Sequence, residues 1–416
     1  MNKTLVLLVI GLSFFFLQVV HSQTDQNISF LQKVGTLDSI YSESLKEYRK
    51  IYVQLPASYN AKEKGKYPVV YILDGEVLLP TVNNVQDFYS GGFTPDMVLI
   101  GISNDKNRMR DLTTSKVTEM YGMPFKQENG DAANFSKFLE SELIPFIENK
   151  YPVTNFRTLI GHSYGGLFTL YSLVHHPHLF SNYIAIDPSL DWDNQKLLKE
   201  AQSILPSNDY KGKSLFMSLN GQLNMQDPTV TIANVMQDTS DFTLFPRSNI
   251  AFSNIVKQNK QNGLALEWKF YPRDLHGTIA FPSIMDGLIS VFQWYQMENT
   301  SKFNSPETSK EELSEIIKYR AKKLKTYFKY SVPPYPEDLL NMLGYMSLDM
   351  EQPEKSKMFF NFDIEFYPNS PNAYDSMADY YERNGDTANA LKYVTKAFEI
   401  SGDNYYKERI EALKKK

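Results

Sequence analysis

Two residues carry the chemistry open to this sequence. Ser163 lies in Gly161-His162-Ser163-Tyr164-Gly165-Gly166, and His276 in Tyr271-Pro272-Arg273-Asp274-Leu275-His276-Gly277. A serine hydroxyl becomes a nucleophile when an adjacent imidazole takes its proton. The chain has no cysteine, which excludes a thiolate nucleophile, thiolate metal sites and disulfides. Gly-x-Ser-x-Gly by itself is weak, since roughly one chain in seven of this length carries it by chance at average residue usage. Its setting makes it strong. The short apolar run Thr158-Leu159-Ile160 leads in, and an amphipathic segment with Leu167, Leu170, Tyr171 and Val174 leads out. Strand, tight turn and helix in that order form a nucleophile elbow, which holds a serine hydroxyl clear of a sheet. The N–H of Tyr164 then opens a helix and points where an oxyanion would form.

The base follows by elimination among six histidines. His21 falls in an N-terminal leader, and His162 flanks the nucleophile and points along the elbow. His175, His176 and His178 gather near a helix end, a solvated place that favours a cation. His276 follows the last apolar strand and precedes the last amphipathic helix, which completes the order serine, acid, histidine. It is expected to act as general base and then general acid. For the acid, Asp227 is the expectation, because it is the first carboxylate in the loop after the run Ser214–Leu219. Asp238, Asp187 at the end of the preceding strand, and Asp274 are alternatives. A Ser–His pair aided by a backbone carbonyl is another, since loss of the acid costs less than loss of either partner. No metal and no cofactor are expected.

These residues need a frame, and the hydrophobic pattern supplies one. Pro68–Leu73, Met97–Ile102, Thr158–Ile160, Tyr183–Ile186, Ser214–Leu219 and Leu266–Phe270 are short apolar runs, while Ile51–Leu55 alternates and stops at Pro56. Continuous runs suit strands buried on both faces. Between them, Ala132–Lys150, Tyr164–His175, part of Ser240–Asn262 and Pro282–Met297 have helical spacing. The alternation predicts an α/β fold with one mostly parallel sheet covered on both faces.

Composition removes other classes. Against 48 acidic residues stand 43 Lys and Arg, a formal charge of −5, which does not suit binding to nucleic acid. Aromatic residues make up 14% of the chain, far too many for a disordered protein. Residues 1–22 have the anatomy of a secretory signal peptide: Lys3, an apolar run from Leu5 to Val20, and small residues before Gln23. The run is shorter than the roughly 20 residues that span a bilayer. The mature protein is therefore expected to be exported, periplasmic or extracellular, and free of the membrane after cleavage.

With these residues in view, the chain resembles the esterase D-like and siderophore-esterase-like branch of the α/β-hydrolase superfamily. The matching segments are Ser44–Arg49 leading to Val53–Pro56, Tyr71–Gly75, Gly101–Asn104, Arg108–Thr113, Ile160–Gly166 and Asp187–Trp192. They run in the right order from about Ser42 to Phe292, and Pro188-Ser189-Leu190-Asp191-Trp192 is nearest the siderophore side. The resemblance implies an α/β-hydrolase fold and places the second oxyanion N–H at Glu76. It also matches Arg108 and Asp111 to a stretch near the substrate, where Arg108 is either a substrate contact or a structural ion pair. One departure stands out: Asn224 occupies the place of a Glu that siderophore esterases usually carry in Gly-x-x-Glu.

Composition shifts after Glu298. Residues 299–308 are polar and turn-forming, which predicts a linker between a hydrolase domain at 23–298 and an all-α module at 309–416. Ser309 and Glu312 form a capping box, followed by Leu313, Ile316, Ile317, Arg320, Leu324 and Phe328 at helical spacing. Ala378, Tyr381, Ala390 and Ala397 fit the 34-residue tetratricopeptide pattern, echoed earlier at Leu343-Gly344. Such a module would contact a protein partner or cover the mouth of the active site. If autonomous, it could be deleted after Glu298 to leave a folded esterase. The expectation as a whole is an exported serine esterase acting on a small-molecule or glycan ester. Feruloyl or acetyl-xylan esters, acyl transfer, and a repeat-based binding protein on a hydrolase scaffold are the alternatives.

Overall fold

The computed structural model describes residues 34–59, 67–120 and 122–416, so the leader expected at 1–22 lies outside the described residues. The strands among them are β1 (Thr36–Ser42), β2 (Glu47–Gln54), β3 (Tyr67–Ile72), β4 (Val98–Ile102), β5 (Glu119–Met120), β6 (Met123–Pro124), β7 (Val153–His162), β8 (Asn182–Ile186), β9 (Ser214–Asn220) and β10 (Ala265–Tyr271). The pair β5-β6 is a small hairpin, and the rest form one sheet in the order β1-β2-β4-β3-β7-β8-β9-β10. From β4 to β10 every pairing is parallel, while β1-β2 and β2-β4 are antiparallel. The mostly parallel, doubly covered sheet expected from the apolar runs is present.

Alternation along each strand divides the core. Val69 and Tyr71 face one layer with Phe135, Phe138, Leu167, Leu198 and Phe252, whereas Val70 and Ile72 face another with Leu78, Val82, Ile284 and Leu288. All of these are buried, and burying one such side chain contributes about 1.5–3 kcal/mol. The first layer is built by the helices Ala132–Phe138, Tyr164–His175, Trp192–Ile204 and Leu244–Gln258, and the second by Gly75–Tyr89 and Ala280–Val291. The helix expected over 132–150 is interrupted by a π-type stretch, Leu139–Leu143. Pro145 explains it: the ring has no N–H and crowds the carbonyl four residues back, which a wider turn accommodates. The helix Gly75–Tyr89 escapes the pattern because Pro80 and Asn83-Asn84 read as breakers, yet Leu78, Leu79, Val82 and Val85 make a buried stripe.

The C-terminal region is all-helical: Lys310–Phe328, Glu337–Asp349, Pro353–Phe366, Pro371–Arg383, Thr387–Ser401 and Asn404–Leu413. Ser309 caps the first of these, its hydroxyl accepting from Glu312 N at 3.1 Å. Equivalent positions of successive hairpins meet at a separation of 34 residues, as in Tyr345 Oη to Asp379 and Arg383 to Asp349. The packing differs from a detachable module behind a free linker. Leu324 and Phe328 belong to the same core as Phe156, Ile160 and Phe292, while Leu313 and Ile317 pack with Leu340 and Phe359. Trp294 stacks on Tyr327 with ring centroids 4.1 Å apart. Arg320 donates to the carbonyls of Tyr295, Gln296 and Pro334. Within the expected linker, Thr300–Phe303 is helical, and Phe303 meets Tyr335 and Phe359. One helix thus serves both cores. Its attachment is near the start of β7, through Phe156 and a Tyr330–Thr154 hydroxyl bond of 3.1 Å. Ser163 follows the other end of that strand, about 23 Å away at roughly 3.3 Å per residue, so the module joins the domain far from the active-site mouth, one of the two places it was expected to serve.

Candidate active site

Ser163 stands between the end of β7 and the helix Tyr164–His175, with φ 61° and ψ −116°. Few non-glycine residues adopt such a backbone, and the neighbours must hold it there. Its N–H donates to Ile186 O at 3.0 Å, and its carbonyl accepts from Leu167 N at 2.9 Å and Ser189 N at 3.1 Å. At Gly161 a Cβ would lie 2.2 Å from the Gly165 carbonyl oxygen, so only glycine lets the turn close.

His276 Nε2 lies 3.0 Å from Ser163 Oγ, and His276 Nδ1 lies 2.6 Å from Asp187 Oδ2. The acid beside the histidine is therefore Asp187, from the end of β8. Asp187 is fully buried while the His276 side chain is 41% exposed. Its carboxylate also accepts from Asn220 N at 3.0 Å and Asn220 Nδ2 at 2.6 Å, which satisfies the charge and aims it. Its own φ of 45° is a second strained position in the same site.

Asp227 is a correction. It is exposed, and its Oδ1 accepts from Thr229 N at 2.9 Å and Thr229 Oγ1 at 2.6 Å. Those bonds hold its carboxyl below the usual range. The loop after β9 is shaped by short-range side-chain bonds of this kind, from Asn224 to the N–H groups of Gln226 and Asp227 and from Asn234 to Thr231. Such bonds compete successfully for a polar loop and leave its carboxylate in solvent. Asp238 bonds to Ser240 N and Asp274 to Thr278 Oγ1, so neither serves His276.

His162 is more than a neighbour of the nucleophile. Its Nε2 lies 2.8 Å from the carbonyl oxygen of His276, and an acceptor there requires a protonated Nε2. Burial, then the nearby His276, pushes its pKa down to about 4. The ring is neutral at physiological pH and pins the loop that carries the base. On the other side, the ring of Phe245 meets His276 edge-on at 5.5 Å.

The oxyanion candidates open two helices. Glu76 lies in the first turn of Gly75–Tyr89, and Tyr164 begins Tyr164–His175. Gly75 lets the first turn press on the sheet, since a Cβ there would meet the Gly101 backbone at 2.4 Å. Arg108 bridges the two turns. Its Nε and Nη2 donate to Asp74 at 2.8 and 2.9 Å, and Nη2 also donates to His162 O at 3.0 Å. These bonds are the ion pair that the structural reading of Arg108 expects, and a third of its side chain stays exposed beside Tyr164. Asp111 is buried between Arg49 and Arg110, at 2.7 and 2.8 Å.

One residue near the nucleophile stood in a matching segment of the sequence but was given no role there. Ser189 Oγ lies 3.3 Å from Ser163 Oγ. The signal was available in Ile186-Asp187-Pro188-Ser189: a carboxylate and a hydroxyl flank a proline that ends the strand adjoining the nucleophile strand.

Residues 42–243 match the family model described as Putative esterase. The siderophore enterobactin esterase of Emericella nidulans is 30% identical over 184 residues, which cover 40% of this chain and 58% of that protein. Ferri-bacillibactin esterase BesA of Bacillus subtilis is 34% identical over 151 residues, 32% of this chain and 52% of that one. The chain thus spans little more than half the length of these curated relatives. Among solved structures, an IroE-like serine hydrolase from Shewanella oneidensis superposes with a TM-score of 0.64 at 27% identity, covering 80% of this chain and 99% of that chain. With the parallel sheet and the strand–serine–helix elbow, these similarities make residues 42–243 a match to the putative-esterase family, on an α/β-hydrolase fold.

Proposed function

We propose that the protein is an exported serine esterase that hydrolyses a carboxylic ester of the siderophore class. The observation that carries the reading is the continuous path from Asp187 through His276 to Ser163, at 2.6 and 3.0 Å. Asp187 keeps the proton of His276 on Nδ1, so Nε2 is free to accept. Ser163 gives its proton to Nε2 as Oγ bonds to the ester carbon, and the carbonyl electron pair moves onto oxygen. The N–H groups of Glu76 and Tyr164 are the proposed donors to that oxyanion. Collapse expels the alcohol, which takes the proton from His276. Water then repeats the sequence on the acyl-enzyme and restores Ser163.

The substrate class rests on the relatives, one named a siderophore enterobactin esterase and another a ferri-bacillibactin esterase. Apolar side chains adjoin the site residues: Val77 follows Glu76 and Leu275 precedes His276, both largely exposed, and Phe245 meets the ring of His276. Export rests on the leader at 1–22. Among the described residues no helix is long and apolar enough to cross a membrane. The 34-residue spacing of the C-terminal hairpins favours reading residues 309–416 as a tetratricopeptide-like module that binds a protein partner.

The test is a hydrolysis panel with the purified full-length mature protein: a short-chain aryl ester, a ferric tricatecholate trilactone, feruloylated xylan and acetylated xylan. Turnover of the aryl ester and the trilactone is expected. Turnover of a xylan ester with the trilactone untouched would overturn the substrate class, and no turnover of any ester would overturn the esterase.

A further inference from the structure

We propose that Ser189 is a catalytic residue whose hydroxyl donates to Ser163 Oγ and stabilises the charge that forms there; this rests on the serine-esterase reading above. The direction of the bond follows from the chain of partners. Asp187 is acceptor-only when ionised, so His276 Nδ1 must donate to it. Neutral His276 then has an acceptor at Nε2, and Ser163 O–H must point to it across 3.0 Å. The lone pairs of Ser163 Oγ remain, and Ser189 Oγ sits 3.3 Å from them. A hydrogen bond between the two hydroxyls therefore requires Ser189 as donor.

The placement of Ser189 is built. Its N–H donates to the carbonyl of Ser163 at 3.1 Å, and its carbonyl accepts from Trp192 N at 3.2 Å. Pro188 O is held by Asn249 Nδ2 at 2.9 Å. Ser189 is 8% exposed, so water competes weakly for its hydroxyl. One three-residue turn, Asp187-Pro188-Ser189, thus delivers a carboxylate to the base and a hydroxyl to the nucleophile.

The chemistry needs no extra reactant. As the Ser163 proton moves to His276 Nε2, negative charge builds on Oγ before it is shared with the ester carbon. The Ser189 O–H then donates to a partly ionised oxygen, and charge-assisted bonds are shorter and roughly twice as strong as neutral ones. A contact of 3.3 Å at rest is long for two hydroxyls and tightens as charge develops. The same bond acts when the acyl-enzyme breaks down, because the C–Oγ electron pair returns to Oγ while His276 gives the proton back. Ser189 keeps its own proton throughout.

The experiment compares full-length wild type, Ser189→Ala and Ser189→Thr for the second-order rate at which a fluorophosphonate labels Ser163, followed by intact mass and peptide mapping. This reads nucleophile reactivity apart from substrate binding. Ser189→Ala is expected to label about tenfold to a hundredfold more slowly, the range for losing one hydrogen bond to a charged group, and Ser189→Thr should recover much of that loss. The pH midpoint of labelling should not move, since His276 keeps Asp187. Equal rates for wild type and Ser189→Ala would overturn the role of Ser189 while leaving the esterase intact. A wild type that takes no label at Ser163 would overturn the esterase mechanism and this role with it.

Discussion

Arg108 holds Asp74 through two parallel hydrogen bonds, and the same guanidinium reaches the carbonyl of His162, one residue before the nucleophile. Asp74 precedes the helix that presents Glu76 and has φ 52°, so this one side chain ties both proposed oxyanion turns together. A lysine can supply the charge but not the planar fork. Arg108→Lys is therefore expected to lower kcat about tenfold to a hundredfold with a smaller change in KM. Steady-state kinetics on an aryl ester measures the split. A change confined to KM would return Arg108 to substrate binding.

The two aspartates give opposite expectations. Asp187→Asn removes the acceptor that fixes the His276 tautomer, and a loss of about 10²–10⁴ in kcat follows. Asp227→Asn alters an exposed turn and should leave kcat within about twofold. Parallel assays of the two variants decide between the acid expected from the sequence and the one the fold brings to His276.

Much of this site was legible in the chain. Ser163 and His276 declared themselves through local context, because an elbow needs glycines and a strand and helix around it. The acid did not, because its position depends on which strand end faces the histidine loop. Asp187 stands there only because β8 lies between β7 and β9 and because Asn220 orients the carboxylate. Asp227 looked better placed along the sequence, but Thr229 and Asn224 fold its loop onto itself. Ser189 stood in a segment the sequence marked, but its role did not show there, because its contact with Ser163 joins the turns after two adjacent parallel strands. The helix Lys310–Phe328 showed its cap and its spacing, but not that its two ends would enter different cores.

That shared helix changes the outcome of truncation. Ending the chain after Glu298 removes Leu324 and Phe328 and exposes Phe156, Phe292 and Trp294. Each lost buried side chain costs roughly 2–5 kcal/mol, so aggregation or a Tm lower by more than about 10 °C is expected. Ending after Tyr330 keeps those contacts and should melt higher than the shorter form. Thermal scans of both truncations check this, and equal melting would mean that the helix adds nothing to the hydrolase core.

His162 gives a pH dependence with a defined sign. Its pKa is lowered to about 4 in the fold, against about 6.5 in the unfolded chain. Below 6.5 the unfolded state binds the extra proton first, so the stability contributed by neutral His162 is present above pH 6.5 and is lost as pH falls toward 4. His162→Gln cannot titrate, and its Tm should fall less than that of wild type between pH 7 and 4.5. Identical acid slopes would contradict the neutral, buried His162.

Asp363 has the opposite sign. It is fully buried in the helix Pro353–Phe366 with neither carboxyl oxygen partnered, and burial, with Glu337 and Asp338 nearby, pushes its pKa up to about 8. Between pH 4 and 8 the folded state keeps a proton that the unfolded chain releases, so stability falls as pH rises through that window. Asp363→Asn should gain Tm over wild type progressively up to about pH 8 and then hold a constant lead. Calorimetry at pH 5, 7 and 9 reads the trend; a lead independent of pH would show that the carboxyl does not titrate there.

The most direct measurement of the central claim is aryl-ester hydrolysis by the full-length protein and its Ser163→Ala variant, both folded by circular dichroism. The wild type should turn over with a burst of released alcohol as the acyl-enzyme forms. The variant should lose about 10⁴-fold or more in kcat, as expected when a serine nucleophile is removed. A variant that retains most of the wild-type rate would contradict Ser163 as the nucleophile and, with it, the triad.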